Sequence, residues 1–113
     1  MAAVLEQGRY HVGAASVLIA SEGQNLETTG GAARHELLGS RYGLTERDLQ
    51  FFSVHQKEDV GHVEQGLNLV SALCTTETMQ QEALFAVGYT CELFSAMYDG
   101  MYQAYCGEPE ARA

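Results

Sequence analysis

Apolar residues recur every three or four positions along most of the chain, the spacing of helices that bury one face. The pattern predicts four helices, over about residues 2–21, 32–42, 45–74 and 78–105, with a break at residues 23–31 where glycine and threonine interrupt it. The helices are joined by short connections. This order predicts an all-α fold, an up-down bundle of about four helices that forms one domain over residues 1–113.

Residues that favour helix ends stand at the predicted boundaries. Gly43 is a natural left-handed stop after the second helix. Thr45 and Asp48 form a capping pair, in which a hydroxyl and a carboxylate three residues apart satisfy free backbone N–H groups. Residues 75–77 supply new capping residues, and Pro109 follows the last helix. These signals predict where the third helix starts and where the fourth starts and ends.

Composition and charge narrow the classes of partner. The chain has 15 acidic and 6 basic residues, a net charge of −9, so we expect it to bind neither nucleic acid nor anionic membranes. We see no signal-peptide layout and no apolar run of about 18 residues, which makes a cytoplasmic protein the default expectation. Three widely spaced cysteines favour free thiols over a disulfide framework.

The third predicted helix carries a polar stripe with metal-ligand chemistry. His55, Asp59 and His62 stand at positions i, i+4 and i+7, which places them within roughly 60° of one another on the helix surface. Imidazole and carboxylate together suit iron, manganese or zinc. A solvated polar face explains the same composition, so residue types alone leave both interpretations open.

The last predicted helix is unusually rich in aromatic residues and methionine. One interpretation is a packed face that includes a subunit interface. The other is that Tyr89 or Tyr98 points into an active-site cavity. The residues concerned are Phe85, Tyr89, Phe94, Met97, Tyr98, Met101, Tyr102 and Tyr105.

The polar stripe and its surroundings resemble a known family. Residues 51–62, with the pattern Phe-Phe-x-x-His-x-x-x-Asp-x-x-His, are similar to the second signature helix of the haem-oxygenase-like proteins grouped with TenA and pyrroloquinoline-quinone synthase (PqqC). They are closest to the iron-containing branch, the di-iron oxidases. Residues 42–49 resemble that branch's lead-in, and Glu22 stands where family members carry a helix-borne glutamate. Leu26 replaces the family's proline. The resemblance covers about residues 5–106.

The resemblance implies a fold, a cofactor and a set of site residues. It makes Glu22, His55, Asp59 and His62 metal ligands in a haem-oxygenase-like bundle. The cofactor it implies is iron, including a di-iron centre, while manganese or zinc also suits these ligands. The implied function is a metal-dependent oxidase or oxygenase that acts on a small organic substrate with O₂. Tyr89 or Tyr98 would be the catalytic residue that donates a proton or an electron.

Three alternatives stay open at this point. The first is a cofactor-free oxidase resembling PqqC, in which the histidines act as acid–base groups. The second is a TenA-like thiamine-salvage hydrolase, which needs a cysteine nucleophile in the site. The third is a non-catalytic half-domain that scaffolds a partner.

The chain departs from the family in length. It resembles only the C-terminal half, and the family's earlier half supplies a further glutamate and histidine from another helix. We therefore expect a partner that completes the bundle: either a second copy in a two-fold homodimer or a complementary N-terminal-half chain. The homodimer is favoured because a half-length bundle exposes apolar surface as a monomer.

Overall fold

The structure is a computed structural model, and it describes residues 8–107. Helix α1 spans Tyr10–Ala14 and continues through a π-helical segment at Ala15–Ser21 and a 3₁₀ turn at Gln24–Leu26. Strands β1 (Thr28–Thr29) and β2 (Ala32–Ala33) precede helices α2 (Arg34–Tyr42), α3 (Gln50–Leu73) and α4 (Glu77–Cys106). Within the described residues the fold is mostly helical, with four helices in the predicted order.

The first helix differs from its prediction at both ends. It begins at Tyr10 because Gly8 has a φ of +69°, a left-handed conformation that a right-handed helix cannot contain. Residues 2–7 of the predicted helix lie outside the described residues. The second half is π-helical: the backbone N–H of Glu22 donates to Val17 O, five residues back.

The predicted break at residues 23–31 contains a small hairpin. Strands β1 and β2 pair in antiparallel register, Thr28 opposite Ala33 and Thr29 opposite Ala32. Gly30 and Gly31 join them with φ values of +59° and +84°. Two successive positive φ angles are what a type I′ hairpin turn requires. The all-α prediction is therefore right for the helices and wrong for this two-residue ladder.

The predicted capping signals are confirmed, with a small shift in where α3 begins. Gly43 has a φ of +64° and ends α2. The backbone N–H of Thr45 donates to Asp48 Oδ2 at 2.9 Å, and the N–H of Asp48 donates to Thr45 Oγ1 at 3.2 Å. The backbone bond from Thr45 lowers the pKa of Asp48. This capped turn precedes the helix, so α3 begins at Gln50 rather than beside Thr45.

The first helical stretch packs against both long helices. Its π-helical segment approaches α3 at Gly66, where an added Cβ atom would lie 2.6 Å from Leu18 Cβ. Glycine therefore permits a backbone approach that any side chain would block. Leu67, the next residue along α3, is half exposed. The buried apolar residues are mostly small: Ala15, Ala20, Ala33, Leu49, Cys74, Ala83 and Ala86.

The two long helices leave broad apolar surface uncovered. Nineteen large apolar side chains among the described residues are 39% exposed or more, and eleven of them lie on α4 or in the second half of α3. The radius of gyration is 17.2 Å, whereas a compact domain of 100 residues has about 13 Å. None of the described helices combines the length and apolarity needed to cross a membrane. The fold is an open assembly of helices rather than a closed bundle.

Candidate metal centre

Three of the predicted ligands meet between the first helical stretch and α3. Glu22 follows the π-helical segment directly, and Asp59 and His62 face it from adjacent turns of α3. Each residue offers one ligand atom, and the three atoms lie within 4.8 Å of one another. The close approach at Gly66 brings the two helical stretches together. Glu22 therefore shares a site with Asp59 and His62, although they lie 37 and 40 positions later in the sequence.

Asp59 is the anchor of this cluster. It is 1% exposed, and it is the largest fully buried side chain among the described residues. A buried carboxylate is costly unless hydrogen bonds compensate for the lost water. Asp59 has two: Asn25 Nδ2 donates to Oδ2 at 2.6 Å, and His62 Nδ1 lies 2.8 Å from Oδ1. Both oxygens are therefore held in fixed positions.

Glu22 has a buried oxygen without a hydrogen bond. Its Oε2 atom is inaccessible to solvent and lacks a hydrogen-bond partner among the described residues. His62 Nδ1 lies 3.5 Å from this atom, a separation that permits charge attraction but is too long for a good hydrogen bond. A bound cation or an ordered water would supply the missing interaction.

The donor set fits a divalent transition metal. Two carboxylates and one imidazole are the ligand types that iron, manganese and zinc share. Two buried or half-buried carboxylates side by side repel each other, and His62 is the only basic side chain paired with them in the described structure. A bound cation would neutralise that repulsion and satisfy Glu22 Oε2. The residues present therefore fit the metal that the polar stripe predicts.

His55 lies one turn from Asp59 but outside the cluster of three. Its Nδ1 donates to the carbonyl of Phe51 at 2.6 Å, and its ring lies 4.0 Å from the ring of Phe51. This bond fixes the ring and leaves Nε2 without a hydrogen-bond partner in the described part of the chain. A backbone carbonyl on one nitrogen is the usual support of a metal-ligating histidine. The structure thus orients His55 without bringing it to the other three.

Tyr89 and Tyr98 lie on α4, away from these hydrogen bonds. Tyr89 is half exposed and stacks on Phe85, with ring centres 5.6 Å apart. Tyr98 is also half exposed and lines a groove with Gln24 and Cys91. Within residues 8–107, neither hydroxyl is hydrogen-bonded to Glu22, Asp59 or His62. Their catalytic role stays a prediction.

An apolar groove lies between the π-helical segment, α3 and α4, and none of the three clustered residues lines it. Its volume is about 360 Å³. Ile19, three residues before Glu22, and Leu67, five residues after His62, both line it. The remaining wall comes from α4 and the end of α3: Val70, Ser71, Cys74, Gln80, Ala83, Leu84 and Val87, with Ala15 from the π-helical segment.

A second polar cluster ties α1 to α4 on another face. Glu82 forms an ion pair with Arg9, and its Oε1 lies 3.3 Å from Nε2 of the buried His11. The hydrogen bond from His11 is the main cause of a lowered pKa at Glu82, and Arg9 lowers it further. Ser16 and Thr90 share a hydroxyl hydrogen bond of 2.8 Å across the same pair of helices. These contacts hold the first helical stretch in place.

Sequence reasoning missed Asn25 as a member of the site. It lies in the predicted break, in the 3₁₀ turn after Glu22, and no residue spacing relates it to Asp59, 34 positions away. The spacing of apolar residues also could not show that a π-helical segment places Glu22 beside α3.

Comparison with known proteins identifies the family. The sequence profile of a family described as iron-containing redox enzymes matches residues 1–95. The 4-aminobenzoate synthase of Nitrosomonas europaea is 30% identical over 76 residues, which are 66% of this chain and 31% of that protein. The chain therefore spans about a third of the length of this curated relative. No solved structure matches. The resemblance drawn from residues 51–62 is confirmed: the chain belongs to the iron-containing redox enzymes of the haem-oxygenase-like superfamily.

Proposed function

We propose that this chain contributes one side of a non-haem iron site in an oxidase or oxygenase that acts on a small organic substrate with O₂. The observation that carries the proposal is the cluster of Glu22, Asp59 and His62, in which Glu22 Oε2 is buried without a hydrogen bond. Membership of the iron-containing redox enzymes supports iron as the metal. Bound iron would supply the one-electron chemistry that lets O₂ react with an organic molecule.

The residues of the chain have separate tasks in this proposal. Asp59 and Glu22 supply negative charge and oxygen ligands, and His62 supplies a nitrogen ligand. His62 is 46% exposed at its side chain, so the cluster is open on one side. Substrate or a further ligand can approach from that side. His55, whose ring is held by Phe51, is oriented to bind a second metal or to complete the first site.

The apolar groove between the π-helical segment, α3 and α4 favours a substrate with an apolar portion. Its wall is formed by Ile19, Leu67, Val70 and Leu84, with few polar groups. A pocket of this kind excludes water from a bound molecule, and a small number of polar groups then orient it. The 4-aminobenzoate synthase similarity supports a small-molecule substrate but covers a third of that protein, so the substrate itself is left open.

The site is completed, in this proposal, by another polypeptide chain. Three clustered ligands and an open face describe one side of a centre, and the apolar faces of α3 and α4 lack covering elements in the described structure. A second copy in a homodimer and a complementary N-terminal-half chain both satisfy this requirement. Their apolar surface would exclude water from the open side of the cluster.

Metal analysis tests the proposal directly. The chain is purified without chelator and loaded anaerobically with Fe(II), then compared with His62→Ala and with His35→Ala, a histidine outside the cluster. We expect stoichiometric iron in the parent chain and in His35→Ala, and loss of iron in His62→Ala. Removing one of three ligands takes away both a bond to the metal and the partner of Asp59 Oδ1.

Absence of iron in the parent chain after anaerobic loading would contradict the proposal. A cofactor-free oxidase would then show O₂ consumption that depends on His55 and His62 but not on metal. A scaffold would show neither. The thiamine-salvage hydrolase lacks support at this site, because none of the three cysteines joins the cluster of Glu22, Asp59 and His62.

A further inference from the structure

We propose that Asn25 is a positioning residue that fixes Asp59 through Oδ2 and so leaves Oδ1 as the oxygen that faces the metal. The inference rests on the proposed function for the identity of the bound group. Asn25 is not one of the predicted ligands, and its proposed role is to orient the ligand Asp59.

The geometry assigns the direction of the hydrogen bond. A buried carboxylate only accepts, so the Asn25 amide nitrogen is the donor to Oδ2, at 2.6 Å. Oδ1 points to the other side of the carboxylate, where His62 Nδ1 lies at 2.8 Å and completes the group with Glu22. The two oxygens of Asp59 therefore have different partners: Oδ2 is held by Asn25, which is not a metal ligand, whereas Oδ1 contacts His62, a member of the cluster, and would exchange that contact for the metal.

The turn that carries Asn25 is itself anchored. Gln24 Nε2 donates to Ala20 O at 3.3 Å, and the N–H of Glu27 donates to Gln24 O at 3.3 Å. These bonds hold the 3₁₀ turn against the end of the π-helical segment. The amide of Asn25 thus reaches Asp59 from a fixed backbone position, and the same backbone carries Glu22 three residues earlier.

Loss of the amide would change how Asp59 binds a metal. With Oδ2 released, the carboxylate can rotate, and both oxygens become available for coordination. Hydrogen-bond partners that orient metal ligands typically change affinity about 10–100-fold when removed. The role therefore predicts a change in both affinity and coordination number, whereas a role in turn stability alone predicts weaker affinity with an unchanged coordination number.

The test uses Co(II), a probe whose visible absorption reports coordination number, with the 113-residue chain and three variants. Asn25→Ala removes the donor. Gln24→Ala removes the neighbouring side chain of the same turn and keeps the Asn25 amide. Asn25→Gln keeps an amide on a longer arm. We expect about a 10–100-fold weaker affinity and an altered Co(II) spectrum in Asn25→Ala, and partial recovery in Asn25→Gln. Gln24→Ala loses only the bond to Ala20 O that anchors the turn, so we expect a smaller loss of affinity with the parent Co(II) spectrum.

Parent affinity and an unchanged Co(II) spectrum in Asn25→Ala would overturn the positioning role. Equal losses in Asn25→Ala and Gln24→Ala would also overturn it, because the turn and not the amide would then be responsible. Circular dichroism of each metal-free variant verifies that the helices form.

A second measurement separates this inference from the proposed function. If the parent chain binds neither Co(II) nor Fe(II), the proposed function fails, and the metal-free chain still tests the contact. Asn25→Ala and Asp59→Ala, each of which removes the hydrogen bond between the two side chains, are then compared singly and together by urea unfolding. A double variant no less stable than Asp59→Ala alone supports the coupling of these two side chains, and additive losses overturn it.

Discussion

At the scale of single residues, Asp59 holds the site together. Its spacing from His55 and His62 is visible in the sequence, and the structure places the Asp59–His62 contact where a helix of 3.6 residues per turn would. The same spacing also predicted His55 in the cluster, but in the structure His55 lies outside it and its Nδ1 donates to the carbonyl of Phe51. Spacing along one helix identifies a face, but it does not identify which other chain segment reaches that face.

Glu22 and Asn25 show that residue spacing along one helix does not reveal site residues contributed by another segment. Glu22 was found through the family resemblance, and Asn25 was not found at all. Both reach Asp59 from the turn region of residues 22–25, and their positions depend on how the π-helical segment and 3₁₀ turn direct the backbone. Those hydrogen-bond patterns depend on tertiary packing, which residue propensities do not encode.

The cluster of His11, Arg9 and Glu82 gives a prediction on pH. The pKa of Glu82 is lowered in the folded chain, so its ionised form stabilises the fold at pH values above the ordinary glutamate pKa of about 4.3. This stability is lost as the pH falls through the lowered pKa. We expect Glu82→Gln to lower the urea midpoint at neutral pH and to reduce the fall in stability below about pH 5.

Urea unfolding at several pH values measures this effect, with Glu77→Gln as the control. Glu77 lies on the same helix and accepts only a weak bond of 3.4 Å from Gln81. Parallel pH profiles for the parent chain and Glu82→Gln would contradict the assigned role of Glu82.

At the scale of elements, the four helices and the boundary between α2 and α3 were predictable, whereas the ends of the first helix and the irregular segments were not. Gly43, Thr45 and Asp48 marked the boundary between α2 and α3 because capping chemistry is local. The π-helical segment lacks a local signal. It forms where the first helical stretch must pack on α3 and α4 together, with Gly66 allowing the closest approach to Leu18.

This approach gives a prediction for Gly66→Ala. The new methyl group would lie 2.6 Å from Leu18 Cβ, so the π-helical segment must move away from α3. Overpacking of this kind costs about 1–3 kcal/mol, more than the gain of up to about 1 kcal/mol from replacing glycine in a helix. We expect lower stability and weaker metal binding, because Glu22 would move with the segment.

Gly88→Ala is the matched control, since an added Cβ at Gly88 on α4 meets no atom within 4 Å. We expect that variant to be at least as stable as the parent chain in urea. A Gly66→Ala chain with parent stability and parent metal affinity would show that the close approach is not needed to form the site.

At the scale of the whole molecule, the described fold leaves much of the apolar surface of its two long helices exposed. Its buried apolar residues are mostly alanine, while side chains such as Leu84 and Phe85 on α4 are at least 70% exposed. Apolar patches of this extent mark interaction surfaces. The sequence predicted an exposed apolar surface because a half-length bundle has few elements to cover two long helices. A partner that covers this surface stays a proposal.

Light scattering tests the homodimer proposal. We expect at least a dimer at micromolar concentration, weakened by Phe85→Glu, which places a charge on the exposed face of α4. Gln80→Glu adds the same charge to the same helix without removing an apolar ring. We expect it to leave the molar mass of the dimer, as measured by light scattering, unchanged. A clean monomer of the parent chain would contradict the homodimer and leave a complementary N-terminal-half chain as the proposed partner.

The most direct measurement of the central claim is anomalous X-ray scattering at the iron absorption edge from crystals loaded anaerobically with Fe(II). The account predicts an iron peak between Glu22, Asp59 and His62, at about the 2.0–2.2 Å that separates nitrogen or oxygen ligands from divalent metals of this size. Crystals of loaded protein with no iron peak at these three residues, or with iron bound elsewhere, would contradict it.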